Sequence, residues 1–74
     1  MLRLKLLRIT QGIAQWKLSQ LAEISVGRYS MIERGLVLPT DAEQDRIARV
    51  LNAAPASLLH TVHVRHTPAS AVSA

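Results

Sequence analysis

The sequence contains no cysteine and no phenylalanine, and Trp16 and Tyr29 are its only aromatic residues. Without cysteine there is no disulfide framework and no thiolate metal site, which favours a protein of the reducing cytoplasm. The chain has 74 residues, of which 49% are apolar. This length predicts one small domain and excludes a multidomain enzyme with a large buried cleft. A core of aliphatic side chains without covalent cross-links requires well-packed helices or an oligomeric partner.

Long apolar runs are also absent. The longest uncharged segment before the C-terminal tail, residues 50–64, contains Asn52, Pro55 and two histidines. A segment so short and so interrupted does not span a bilayer, and the leucines near the N-terminus are interleaved with basic residues. We therefore expect neither a membrane anchor nor an export signal.

The net charge of +4 is distributed unevenly along the chain. Residues 1–38 carry six Lys and Arg against two Glu, whereas three Arg balance three acidic residues in residues 39–74. A basic half on an otherwise neutral chain is typical of proteins that bind polyanions such as nucleic acids. Charge alone does not distinguish such a protein from one whose surface is merely basic.

Helical periodicity and end signals predict an all-α domain. Gly12 and Gly35 terminate helices, Ser25 is a good N-cap, and Thr40 and Glu43 have the spacing of a capping box. The predicted helices lie at about 2–11, 15–22, 26–34, 41–52 and 56–60.

Two of these helices have clear inward faces in the sequence. In the second, Leu18, Leu21 and Ala22 recur at spacings of three and four, and in the third Tyr29 and Ile32 share one side. We predict that these five side chains lie in the core.

The C-terminal extension, residues 61–74, differs in character from the domain at 1–60. Residues 61–66 alternate with period two, which predicts a short strand, and residues 67–74 lack periodicity and are expected to be disordered. A lone strand is unstable, so we predict that Val62 and Val64 face a two-fold mate or a partner's sheet. His60, His63 and His66 do not converge on one face of a strand, and no metal site or cofactor is expected.

The second and third helices, joined by a tight turn, form a helix-turn-helix. The segment from Leu18 to Ser25, followed by Tyr29 to Gly35 with its Ile-Glu-Arg-Gly ending, resembles the lambda-repressor-like (Cro/repressor-type, XRE) DNA-binding domains. Gly12 to Gln15 resembles that family's entry into helix 2, and the likeness extends over about residues 2–60. It implies a compact five-helix fold and binding of double-stranded DNA.

The resemblance implies particular DNA contacts. The third helix lies in the major groove, with Val26, Gly27 and Met31 facing the bases and Arg28 donating to guanine or to a phosphate. Other candidate DNA-binding residues, several of them at phosphate-contacting positions, are Gln15, Lys17, Ser25 and Arg34. Each has a simpler interpretation, since Ser25 caps a helix and Arg34 complements a helix dipole without any ligand.

The sequence departs from the family pattern at three places. Ala14 stands where a capping threonine is usual, and Glu23 replaces the glycine of the turn. The exposed start of the third helix is Val26-Gly27-Arg28 instead of a row of amides, which weakens the case for strong base recognition.

The resemblance also implies an internal ion pair between Arg8 and Glu33. Arg8 precedes Gln15 by seven residues, at the family position where a first-helix arginine faces the glutamate that closes helix 3. A guanidinium meets a carboxylate there through two parallel hydrogen bonds. The alternative is two unrelated surface charges.

Two function classes remain. The first is a sequence-specific transcriptional regulator that binds DNA as a homodimer, in a bacterial or phage setting at the nucleoid. The resemblance implies that it acts as a repressor. The second is a protein-interaction module on the same fold, such as a partner-binding antitoxin, which Trp16, Val26 and Gly27 favour. For Trp16 itself we expect burial in the chain or a protein contact, with the DNA backbone as the alternative. No catalytic constellation is present, so an enzyme is not expected.

Overall fold

The computed structural model describes residues 1–63, and this part of the chain is all-α, as predicted. Each α-helix begins and ends within one residue of its predicted bounds. Four α-helices and one 3₁₀-helix follow in the order α1 Arg3–Thr10, α2 Gln15–Leu21, α3 Val26–Glu33, α4 Asp41–Leu51 and the 3₁₀-helix Pro55–Ser57.

The helix ends follow from local chemistry. The hydroxyl of Ser25 accepts a hydrogen bond of 3.2 Å from the amide of Arg28, which caps α3. At α4, Thr40 Oγ1 accepts from the Glu43 amide at 3.1 Å, and Glu43 Oε1 accepts from the Thr40 amide at 2.8 Å, a complete capping box. Glu23, in place of a glycine, adopts a left-handed φ of 59° in the turn between α2 and α3.

The predicted fifth α-helix at 56–60 is wrong. Residues 55–57 form a single 3₁₀ turn instead, held by i→i+3 hydrogen bonds such as Leu58 N–H to Pro55 O at 3.2 Å. The chain then leaves the helical path because the carbonyls of Leu58 and His60 accept from the amides of Leu4 and Arg3, at 3.0 and 2.8 Å. These bonds satisfy the free N–H groups of α1, whose N-cap makes no side-chain hydrogen bond.

The predicted strand at 61–66 begins beside the chain's own N-terminus. Thr61 forms one antiparallel bridge with Leu2, and the Val62 amide donates to Met1 O at 2.8 Å. Residues 64–66 of that segment, with His66, and the tail predicted to be disordered lie outside the described residues. Pairing with a second copy stays a prediction.

One aliphatic core joins the four helices and the 3₁₀ turn. The prediction for Leu21 is wrong, because this side chain is 52% exposed. The buried side of α2 is defined by Leu18, Ser19 and Ala22, and Leu21 lies on its flank, beside α4. The buried apolar residues are Leu4, Leu18, Ala22, Ile24, Tyr29, Ile32, Ile47, Ala48, Leu51 and Leu58.

Candidate nucleic-acid interface

Glu33, the last residue of α3, is the centre of a buried hydrogen-bond network. The structure brings it together with Arg8, whose Nε and Nη2 donate to the two carboxylate oxygens at 2.8 and 2.9 Å. Tyr29 Oη donates to Glu33 Oε2 at 2.6 Å, and Gln15 Nε2 donates to Oε1 at 2.9 Å. Arg8 Nη1 also donates to the carbonyl of Ile13 at 2.7 Å. The network fixes α1, the start of α2 and α3 relative to one another.

The electrostatics of this network keep the carboxylate ionised. Burial raises the pKa of Glu33, but the hydrogen bonds from Arg8, Tyr29 and Gln15 together outweigh it, so the pKa is lowered overall. Burial, and next the hydrogen bond to Glu33, raise the pKa of the Tyr29 phenol. The neighbouring Glu33 likewise raises the pKa of Arg8. At neutral pH the site holds one carboxylate, one guanidinium and one neutral phenol.

The opposite side of α3 points to solvent. Val26 is 50% exposed and Met31 is 39% exposed, and between them Gly27 carries no side chain. A Cβ added at Gly27 would meet no atom within 4 Å, so the space above this backbone is open. We call Val26, Gly27 and Met31 the outer face of α3. The network on its inner side holds this face rigidly on the surface.

Arg28 lies beside the outer face and is engaged with α4. Its Nε and Nη2 donate to the carboxylate of Glu43 at 2.7 and 2.8 Å, and Nη2 also approaches the Leu38 carbonyl at 3.5 Å. The hydrogen bond from Arg28, aided by the Thr40 amide, lowers the pKa of Glu43 to about 2. Nη1 is the remaining nitrogen that can donate to another group.

The other predicted DNA-binding residues surround α3. Ser25 is exposed at its N-terminus, Arg34 is exposed at its C-cap, and Lys17 is exposed on α2. Gln15 is half-buried, and one of its amide N–H groups donates to Glu33. Lysine on α2 and arginine at the end of α3 therefore leave exposed positive charge on both helices of this surface.

Trp16 is not buried, so of the two environments expected for it, burial is wrong and a protein contact stays a prediction. Its side chain is 62% exposed, and Lys17 Nζ lies 5.9 Å from the centre of its ring. Since Trp16 lies on the exposed side of the first turn of α2, it is open to contact with another molecule.

Sequence reasoning missed two features of this surface. The sequence predicts that Glu43 acts at the start of α4, in the capping box and at the helix dipole. It also accepts from Arg28, fifteen residues away, and no sequence pattern relates the two. Leu36 and Leu38, in the connection to α4, are 63% and 79% exposed. The Leu36 amide donates to Met31 O at 2.9 Å, which places this connection next to the outer face.

A surface depression lies between the end of α2 and α4. It is open and lined by Leu21, Glu23, Arg46, Arg49 and Val50. Arg46 Nε donates to the Ala22 carbonyl at 2.7 Å and so braces α4 against the end of α2. Within residues 1–63, no three potential metal ligands converge, and no helix is long and apolar enough to cross a membrane.

Helices α2 and α3, joined by a tight turn and supported by α1 and α4, define a helix-turn-helix domain. The model of the helix-turn-helix family, of the lambda-repressor-like (XRE) type, matches residues 4–58, and the chain belongs to this family. No curated protein and no solved structure matches the chain significantly. Membership indicates a DNA-binding regulator of transcription, in a family that is typically not enzymatic.

Proposed function

We propose that the protein is a sequence-specific, double-stranded-DNA-binding repressor that acts as a homodimer. The observation that carries this proposal is the outer face of α3, which is solvent-exposed while Tyr29, Ile32 and Glu33 anchor its other side in the fold. A short helix held in this way can enter the major groove with its N-terminal residues against base edges. Bound at a promoter, such a domain would exclude the transcription machinery.

Phosphate contacts would come from the residues around that face. Lys17 and Arg34 are exposed cations, and Ser25 keeps a hydroxyl hydrogen free to donate. Gln15 retains a second amide hydrogen beside the one that donates to Glu33.

Arg28 would contribute through Nη1, since Nε and Nη2 face Glu43 and the Leu38 carbonyl. We therefore assign Arg28 to a phosphate in preference to a two-pronged contact with guanine.

A homodimer supplies the number of contacts that one small domain lacks. Two α3 helices about 34 Å apart would contact successive major grooves on one side of a pseudo-palindromic site. Thr61 and Val62 pair with Leu2 and Met1 of the same chain. The C-terminal extension after these two residues remains our candidate for dimerisation. We place the protein with bacterial or phage regulators that act at the nucleoid.

Salt dependence of duplex binding tests the proposal. Affinity for a random duplex should fall steeply with salt concentration, with a log–log slope of about 0.9 per neutralised phosphate. Lys17→Ala should reduce that slope by about one per protomer, because it removes a surface cation from the interface. Lys5→Ala, with the same charge change on α1, is the matched control and should preserve the slope. A wild-type affinity that is independent of salt would contradict DNA binding.

Gly27 offers a second test that separates folding from binding. Replacing it by alanine fills open space and should stabilise the helix by about 0.5–1 kcal/mol. If the backbone of α3 approaches the bases closely, the added methyl group should nevertheless weaken duplex binding. A variant that is more stable and binds DNA equally well would argue against α3 as the reading helix.

A protein-interaction module on the same fold is the second candidate function. It is favoured by the exposure of Trp16, Leu36 and Leu38, at 62%, 63% and 79%. A few side chains in the centre of an interface, Trp, Tyr and Arg above all, contribute most of its binding energy, so Trp16 is the natural anchor here. This alternative predicts that affinity for a random duplex is weak and shows no steep salt slope, and that Lys17→Ala leaves that slope unchanged.

A further inference from the structure

The outer face of α3 offers a duplex almost no side-chain hydrogen-bond donor. Between Val26 and Glu33, the polar side chains are those of Arg28, Tyr29, Ser30 and Glu33. Tyr29 and Glu33 are buried and bonded to each other at 2.6 Å, and Ser30 is half-buried. The exposed remainder is aliphatic or bare backbone: Val26, Gly27 and Met31.

Arg28 does not fill this gap. Its Nε and Nη2 donate to the Glu43 carboxylate, and Nη2 also approaches the Leu38 carbonyl at 3.5 Å, so a two-pronged contact with guanine through Nη1 and Nη2 would require that Nη2 give up the Leu38 carbonyl. The Ser25 hydroxyl accepts from the Arg28 amide at 3.2 Å and lies before the first turn of α3. Neither side chain is placed to provide the paired hydrogen bonds by which amides and guanidinium groups distinguish bases.

We propose that α3 recognises the C5-methyl groups of pyrimidines in the major groove, through Val26 and Met31. The C5-methyl of thymine is the one apolar group that bases expose there, and aliphatic side chains contact it. Gly27 allows the helix to approach closely, and the exposed cations Lys17 on α2 and Arg34 at the end of α3 attract phosphates. 5-Methylcytosine carries its methyl group at the same position, so it is recognised in the same way. This inference rests on the proposed function and names its substrate class.

The first experiment removes single methyl groups from DNA. Duplexes are selected from a random pool at fixed salt, and each thymine of the preferred site is then replaced by deoxyuridine, which lacks only the C5-methyl. At the contacted positions we expect binding to weaken about fourfold per methyl lost, the value for withdrawing one methyl from a hydrophobic contact. At the same positions, 5-methylcytosine should bind more tightly than cytosine by a similar factor.

Protein variants assign the effect to α3. Val26→Ala and Met31→Ala should each bring the ratio of affinities for the thymine and uracil duplexes towards one, at the base that the replaced side chain contacts. Each variant should weaken binding to the uracil duplex much less. Ile9→Ala is the matched control, since Ile9 is also 50% exposed but lies on α1. It should retain the full ratio. Circular dichroism spectra should be the same for all variants, because none of these side chains is in the core.

The outcomes separate this inference from the function on which it rests. A thymine preference that disappears in Val26→Ala and Met31→Ala supports it. Equal affinity for thymine and uracil duplexes, with sequence preference retained, overturns the methyl contact and leaves DNA recognition standing. Duplex binding without any selected sequence also overturns it. No binding to duplex even at low salt overturns the proposed function itself, and the outer face then serves a protein partner.

Discussion

The domain contains two arginine–glutamate pairs of nearly the same geometry in different surroundings. Arg8 and Glu33 meet at 2.8 and 2.9 Å, and Arg28 and Glu43 meet at 2.7 and 2.8 Å. The side chains of the first pair are 12% and 1% exposed, whereas those of the second are 37% and 13% exposed. Distance alone therefore says little about what each pair contributes.

The surroundings decide the contribution. Around Glu33, Tyr29 and Gln15 supply two more hydrogen bonds, so removal of any partner leaves buried polar groups unsatisfied. Arg28 can exchange Glu43 for water or a phosphate, because its side chain is partly exposed to solvent. We infer that the inner pair holds the helix-turn-helix together and that the outer pair is available to a ligand.

The largest expected effect is the loss of the inner pair. Arg8→Ala or Glu33→Ala should lower the free energy of unfolding by about 3–5 kcal/mol, because each leaves an uncompensated buried partner. Urea denaturation followed by circular dichroism measures the change. The control is Asp45→Ala, which removes an exposed carboxylate. The double variant should cost much less than the sum of the two single changes. Additive effects would show that the pair is no more than two neighbouring charges.

Tyr29→Phe tests the same site more gently. The ring keeps its place in the core, and only the hydroxyl that donates to Glu33 at 2.6 Å is lost. A hydrogen bond to a charged group contributes about 1.5–3 kcal/mol, so stability should fall by that amount in urea denaturation. In a Glu33→Gln background the same change should cost less, since the carboxylate charge is gone. Equal costs in both backgrounds would show that Tyr29 acts through packing alone.

The contrast between the two pairs also shows what sequence can predict. Helix ends depend on a few adjacent residues such as Ser25, Thr40 and Glu43, so their chemistry was evident from the sequence. Arg8 and Glu33 were expected as partners from the family resemblance, because their separation of 25 residues follows no helical period. Arg28 and Glu43 are separated by a loop whose course no local rule determines.

Periodicity also fails where the direction of packing matters. Leu21 has helical spacing from Leu18, yet α2 packs through Ser19 and Ala22 and leaves Leu21 on the flank. A small polar residue became buried because its hydroxyl donates to the Trp16 carbonyl at 2.8 Å. The sequence thus identifies which residues can be buried, and the tertiary arrangement chooses among them.

Acid should weaken both pairs, and the outer pair can be isolated by mutation. The pKa of Glu43 is about 2 in the folded protein against an ordinary value of 4.5, and that of Glu33 is also lowered. A lowered folded-state pKa means stabilisation that is complete above about pH 4.5 and is lost as the pH falls towards the folded value. Melting temperature should therefore be level from pH 7 to 5 and decline below 4.5. Glu43→Gln should make the decline shallower, and an unchanged pH profile would mean that Glu43 does not titrate with folding.

The smallest expected effect on stability is that of Arg28→Ala. Because the pair with Glu43 is partly exposed and Glu43 keeps its bond to the Thr40 amide, the free energy of unfolding in urea should change only slightly, far less than for Arg8→Ala.

DNA affinity should respond to the loss of Arg28 much more than stability does. If Arg28 holds a phosphate through Nη1, its loss weakens binding to all duplexes alike and reduces the salt slope. Glu43→Gln is the matched control, since it removes the competing carboxylate and should leave binding equal or tighter. If Arg28→Ala changed the preferred base at one position while Glu43→Gln weakened binding, Arg28 would be a base-reading residue positioned by Glu43, and the outer pair would be part of the specificity of the domain.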